Sequence, residues 1–351
     1  MVFDLSTVGT VTAALLAAAI VSLITTPVVR TLAIRIGAVD VPKDGRRMHN
    51  HPIPRMGGLA IFFGFLLSTL VFLPLTRPLR GMLMGAVIIV ILGIFDDIYA
   101  LGAKLKLVVQ ICAALIAVLM GNEITLLSNP NIFSSNPFWE LGWLAIPVSV
   151  VWIVGITNAV NLIDGLDGLA CGVSTISSMT LLVIALTVAE PSIAILTAAL
   201  AGGCLGFLPY NLNPAKIFMG DTGSTFLGFM LSVICIQGLF KGYVIISFIV
   251  PFLILGLPIF DTGFAIVRRI WNKKPIMAPD RGHLHHRLMD MGFSQKQTVA
   301  ILYVIASILA MSAVVVLEGG AYWAAVFVIA IVLFVIFAYK FYKTNHKESD
   351  I

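Results

Sequence analysis

Several of the twelve aspartates fall at the ends of long apolar runs, and glutamate is scarce at five residues. A solvated loop mixes the two freely, so this distribution points to a site. Asp96 and Asp97 close one run (GIFDDIY). Adjacent carboxylates beside hydrocarbon repel, and each is partly desolvated, so a cation or a basic side chain sharing the place stabilises them. A helix border open to water would also accommodate them. In Asn158-Ala-Val-Asn161-Leu-Ile-Asp164-Gly-Leu-Asp167-Gly168, a helix sets Asn158, Asn161 and Asp164 three apart on one face, which Asp167 continues. Amide and carboxylate oxygens are the hard ligands that Mg²⁺ prefers, and Gly165 and Gly168 admit a ligand or a backbone closely. The competing reading is a capped turn between helices. In Asn213-Pro-Ala-Lys-Ile-Phe-Met-Gly-Asp221-Thr-Gly-Ser224, amides at a helix start favour an anion such as phosphate. Asp221 there either caps the helix or carries a metal that bridges to phosphate.

Two loops add basic groups. Pro279-Asp-Arg281-Gly-His283-Leu-His285-His286-Arg287 holds three histidines in four positions. It has neither a cysteine partner nor metalloprotease spacing, so zinc fits poorly. With Arg281 and Arg287 beside them, the imidazoles suit pyrophosphate oxygens; a basic loop resting on anionic lipid is the alternative. The stretch Asp40–Gly58, with His49, His51 and Arg55, is basic and turn-rich. Charge that only fixes membrane orientation accounts for its arginines equally well.

The elements that carry these residues are membrane spans. Of 351 residues, 59% are hydrophobic and 11% charged, with a mean hydropathy of +1.03; a soluble domain carries about 25% charged residues. Runs near the roughly 20 residues that cross a bilayer fall at 10–32, 57–75, 80–95, 105–120, 141–158, 168–188, 191–209, 223–239, 242–265, 298–316 and 321–341. The class is therefore all-α, with about eleven transmembrane helices in a single domain over 1–343 and a short polar tail over 344–351. With the N-terminus outside, 18 of the 22 Lys and Arg residues lie in inner loops. That bias puts the C-terminus, and ten aspartates, on the cytoplasmic side of the plasma membrane. The net charge of +5 is this topogenic charge and implies no nucleic acid. The first run lacks a basic flank and a cleavage signature, so it reads as a retained helix. Cys112, Cys171, Cys204 and Cys235 lie within apolar runs and read as small packing residues.

Taken in this order, the five segments resemble the polyprenyl-phosphate N-acetylhexosamine-1-phosphate transferases, from Asp40 to Arg287. NAVNLIDGLDGLA and NPAKIFMGDTGS together are specific to that family, and its eleven spans with an outer N-terminus match the topology above. Within it, the phospho-MurNAc-pentapeptide branch has three consecutive histidines and a lysine three residues after the second aspartate of its DD motif. Here Leu284 interrupts the histidines and position 100 is alanine. The DRGHLHHRL form is similar to the GlcNAc-1-phosphate branch, the TagO/WecA type that begins teichoic acid and related envelope polysaccharides.

The resemblance implies transfer of GlcNAc-1-phosphate from UDP-GlcNAc to undecaprenyl phosphate, with release of UMP. It implies Mg²⁺, with Mn²⁺ able to substitute, held by Asp221 and Asn161. It places Asp96 and Asp97 at the lipid phosphate, with Asp96 taking the proton and Lys106 aiding binding, although Lys104 is close by. It gives Asp164, Asp167 and His283 to catalysis. It lines the uridine pocket with Gly165, Leu166 and Asp167, stacks Phe218 on the uracil, and adds Asn158 and His49 to substrate binding. His283, His285, His286 and Arg281 hold diphosphate and sugar. A homodimer is left open. An ion-coupled transporter would place its acids near the bilayer midplane in repeated halves, and neither feature is present in this sequence.

Overall fold

The computed structural model describes residues 5–42, 51–128, 138–188, 190–238, 249–273 and 282–317, with residues 275, 323 and 329. Eleven helices are α1 (Leu5–Arg35), α2 (Gly58–Phe72), α3 (Arg77–Tyr99), α4 (Ala103–Leu119), α5 (Ala145–Ile163), α6 (Leu169–Thr187), α7 (Pro191–Asn211), α8 (Gly220–Gly238), α9 (Ile249–Ile254), α10 (Gly256–Trp271) and α11 (Leu284–Asp290). A twelfth, α12, spans Gln295–Leu317. Two antiparallel ribbons, β1 (Val39–Asp40) with β2 (Ile53–Pro54) and β3 (Leu126–Ser128) with β4 (Phe138–Glu140), are the strands among the described residues. Six helices are long and apolar enough to cross a membrane: α1, α3, α5 with the turn before it, α6, α7 and α12. This is a membrane-embedded helical protein.

Helix lies within each of the first ten expected spans, while 242–248, most of 321–341 and the polar tail fall outside the described residues. Two limits differ. The third span is longer at both ends. Thr76 caps α3 by accepting the Leu79 amide at 3.4 Å, and Pro78 follows in the first turn. The helix then continues through Asp96 and Asp97 until Ala100 adopts φ 50, so the acid pair lies inside the last turn. The ninth span is interrupted at Leu255, and α10 runs on to Trp271 with Arg268 and Arg269 in its last turn, where cations favour the helix dipole.

The centre of the bundle is α8, whose residues Thr222 to Ile236 are all buried. Helices α2, α3, α5, α6 and α7 surround it, and α1 packs outside on α2 and α7. Water drives no helix association inside a bilayer, so close backbone approach through small residues does. A methyl added to Gly58 would overlap the Gly223 backbone, and one on Gly93 would overlap that of Thr222. On its outer side α1 exposes Ile20, Ile24 and Val28, a stripe suited to lipid. Cys171, Cys204 and Cys235 are buried as expected; Cys112 is not a packing residue, because its face of α4 is exposed.

The connections fix the direction of travel. Gly57 and Gly58 donate to the Phe218 and Met219 carbonyls, both at 2.9 Å, and Phe218 donates to Pro54 at 2.8 Å. The Arg30 Nε donates to the Lys216 carbonyl at 3.1 Å. The final turns of α1, α3, α5 and α7 therefore gather at one end of the bundle with the first turns of α2, α4, α6 and α8.

The α2–α8 contact yields a stability test. Gly58→Ala is expected to lower the unfolding temperature in detergent, by the equivalent of about 1–3 kcal/mol for overpacking. Gly155→Ala, which lies inside α5 and meets nothing within 4 Å, should hold or raise it, since alanine favours the helix.

Candidate active site

At that shared end the acids separate into groups with different tasks. Asp97 is spent on α8. Its Oδ1 accepts the Asp221 amide at 2.9 Å, and its Oδ2 accepts the Thr222 amide at 3.1 Å and the Thr222 hydroxyl at 2.7 Å. A helix start buried in a bundle leaves orphan amides, and a carboxylate from the last turn of α3 satisfies two of them. Gly220, at φ 71, passes so close to this carboxylate that a side chain there would collide with it.

Asp96 and Asp221 share Lys106. The ammonium lies 2.7 Å from Asp96 Oδ2 and 2.9 Å from Asp221 Oδ2. Asp96 Oδ1 accepts the Leu101 amide at 2.6 Å. On its other side, Asp221 Oδ1 accepts the Asn161 amide nitrogen at 2.9 Å, which also reaches the Ser224 hydroxyl at 2.8 Å. Lys104, the alternative to Lys106, is exposed.

Asp221 also forms part of the wall of a cavity of about 440 Å³, together with Asp164, Gly165, Leu166, Asp167, Phe218, Arg55, His51 and His286. Asp167 faces it half-committed: Oδ2 accepts Asn213 Nδ2 at 2.9 Å and the Ala215 amide at 3.0 Å, and Asn213 also donates to Gln295 at 2.9 Å. Asp164 differs. Among the described residues nothing donates a hydrogen bond to its carboxylate, and desolvation, then the nearby Asp221 and Asp97, push its pKa up to about 8. A buried carboxyl that its acidic neighbours keep protonated, set in an oxygen-rich wall, suits a hard cation that would take the proton's place. No three His, Cys, Asp or Glu side chains among the described residues form a ready cage. Mg²⁺ does not need one, since it keeps several waters and takes one or two carboxylates. Asp221, Asp164 and the Asn161 amide fit that demand.

The histidines form a short stack. Asp261 on α10 accepts the Leu284 amide at 2.7 Å and pairs with His283 Nδ1 at 2.9 Å, which fixes both the start of α11 and the first imidazole. The rings of His283 and His285 stack at 5.9 Å, and those of His285 and His286 lie 4.2 Å apart. His285 is buried against Gly165; desolvation and the neighbouring His286 hold its pKa down to about 4, so it is neutral. His286 lines the cavity, whereas His283 and His285 stand behind it.

Other expected positions lie elsewhere. Asn158 turns away from the cavity to Gln110 Oε1, at 2.7 Å, and ties α5 to α4. His49 and Arg281 are outside the described residues. Reading the sequence gave no role to Asp261, Arg55, Asn213 or Gln295. Asp261 carried a signal, an acid inside an apolar run, and Arg55 and Asn213 lay in segments already singled out; Gln295 carried none.

Residues 79–239 match the family model described as glycosyl transferase family 4. The chain is 48% identical to a probable undecaprenyl-phosphate N-acetylglucosaminyl 1-phosphate transferase of Bacillus subtilis, over 89% of this chain and 86% of that one. The chain belongs to glycosyl transferase family 4. Within the family it is 36% identical to a decaprenyl-phosphate N-acetylglucosaminephosphotransferase of Mycolicibacterium smegmatis, over 85% of this chain and 80% of the relative. It is 31% identical to a phospho-N-acetylmuramoyl-pentapeptide-transferase of Caldicellulosiruptor bescii, over 90% and 98%.

The different tasks of Asp97 and Asp164 can be separated by melting the metal-free protein. Asp97→Ala strands two buried amides and should cost about 1–3 kcal/mol each, a clear drop in unfolding temperature. Asp164→Asn removes a carboxylate that no described group stabilises by hydrogen bonding, so the unfolding temperature should hold or rise.

Proposed function

We propose that this chain transfers GlcNAc-1-phosphate from UDP-GlcNAc to undecaprenyl phosphate, releasing UMP and leaving a lipid-linked pyrophosphate. The observation that carries the reading is Asp221, which joins the cavity to the Asp96–Lys106 pair. The names of the relatives point to the same phosphotransferase chemistry on polyprenyl phosphates. In this reading the chain has eleven spans in one catalytic domain, its N-terminus outside and its site at the cytoplasmic face. The product begins teichoic acid or a related envelope polysaccharide.

The chain's own groups divide the work. Phe218 offers a ring to the uracil, beside Gly165, Leu166 and the uncommitted Oδ1 of Asp167. His286 meets the diphosphate and sugar, with His283 and His285 setting its position. Lys106 draws the lipid phosphate toward Asp96, which takes its proton. Asp97 holds Asp221 in place from behind. Asp221 and Asn161, joined by Asp164, hold Mg²⁺, for which Mn²⁺ can substitute. When bound, the ion neutralises charge building on the pyrophosphate oxygens.

Purified protein given UDP-GlcNAc, undecaprenyl phosphate and Mg²⁺ should release UMP, and UDP-MurNAc-pentapeptide should replace the donor poorly. EDTA should stop turnover, and added Mg²⁺ or Mn²⁺ should restore it. Asp221→Asn should cut kcat roughly a hundredfold or more, as loss of a metal-site group does, with the protein still folded. Failure to release UMP from any UDP-N-acetylhexosamine would refute the reading.

A further inference from the structure

The cavity that takes the donor has a charge problem. Carboxylates line it, Asp40, Asp97, Asp164, Asp167 and Asp221 among them, while a nucleoside diphosphate brings further negative charge. Two of the histidines that sequence suggested for the diphosphate stand behind the wall. Among the described residues, the lysine and arginine side chains contribute one member to the lining, Arg55.

Arg55 is placed by its backbone. Its amide donates to the Ala38 carbonyl at 2.9 Å. The residue before it, Pro54, accepts from Phe218, and Gly57 two residues on donates back to Phe218. Met56 between them holds φ 72, a conformation uncommon outside glycine. The segment is thus zipped to the strip that carries Phe218, and any movement of one moves the other. The guanidinium lies 3.2 Å from Asp40 Oδ1, and the side chain is 35% exposed. A guanidinium presents several donors in a planar fork that matches phosphate oxygens. One pairing with Asp40 leaves others unspent.

We propose that Arg55 is the donor-site cation that binds the diphosphate of the nucleotide sugar, held in register with the uracil platform at Phe218. This assignment rests on the donor being a nucleoside diphosphate sugar, as set out above. It makes the β1–β2 ribbon part of the site, with Arg55 and His286 on different elements bordering the same cavity.

The test compares ligands with and without phosphate, on the full chain in detergent, using Arg55→Gln, Arg55→Lys and Asp40→Asn. Binding of UDP and of uridine is measured by calorimetry, and KM for UDP-GlcNAc and for undecaprenyl phosphate by UMP release. Arg55→Gln should weaken UDP and raise KM for UDP-GlcNAc by roughly ten- to a hundredfold, the loss of a charge-assisted contact. Uridine affinity and KM for the lipid should move less than about twofold. Arg55→Lys should recover part of the loss, because it restores charge without the fork. Asp40→Asn breaks the same ion pair but keeps the cation, so UDP binding should hold or tighten. Equal weakening of UDP and uridine, parallel losses in Arg55→Gln and Asp40→Asn, or no loss in Arg55→Gln would overturn the assignment. Wild-type protein that binds UDP through Arg55 yet releases no UMP would instead sink the transferase reading alone. Wild-type protein that binds no UDP would overturn both.

Discussion

The buried start of α8 is the constraint on which the rest of this structure depends. A helix that begins inside a bundle must satisfy its first amides without water. Here the acceptor is Asp97, from a neighbouring helix, and it takes the amides of Asp221 and Thr222 together with the Thr222 hydroxyl. That bond set joins α3 to α8 at the depth where Gly93 lies against Thr222 and Gly58 against Gly223. The same three-residue stretch therefore sets both the packing and the direction of the Asp221 carboxylate. Burying Asp97 would be costly if its oxygens were unspent; the capping bonds offset that cost.

With α8 fixed, charge balance decides what else gathers there. Asp96 and Asp221 share one lysine, and Asn161 adds a neutral donor from the last turn of α5. This leaves Asp221 with a basic neighbour on one side and a polar-walled cavity on the other. In the proposed reaction, two substrates of unlike solubility need such a divided site, one part open to water and one reached from the lipid. The helix ends supply it because every second turn of an up-and-down bundle returns to the same membrane face.

Much of this was legible in the sequence, for identifiable reasons. Hydropathy located the helices because lipid imposes a minimum apolar length, and it failed at Leu255, where a break in the helix leaves composition unchanged. The acid clusters were visible because aspartate beside hydrocarbon is costly. Their separate tasks were not visible. Asp96 and Asp97 are identical and adjacent, yet the helical turn of about 100° per residue aims one at Lys106 and the other at α8. Asn158 and Asn161 share a face by spacing, but one meets Gln110 and the other Asp221. Arg55 was hidden among topogenic arginines, because its place in the cavity depends on a ribbon pairing across twelve intervening residues that no periodicity announces.

The histidine segment shows how a motif can be chemical and structural at once. Three imidazoles in four positions suggest a shared ligand, yet the structure places them in series. Asp261 orients His283, His283 stacks on His285, and neutral His285 fills the space above Gly165. Only His286 reaches the cavity. A neutral middle ring is what this order requires, since three adjacent imidazolium groups would repel and push α11 off α10. Asp261 anchors the far end from within α10, after the break at Leu255, and the Arg268 guanidinium holds the Gly282 carbonyl at 2.7 Å beside it. The interrupted ninth span and the interrupted histidine motif are thus parts of one device, in which a short helix is fastened over the turn that carries Asp164 and Asp167.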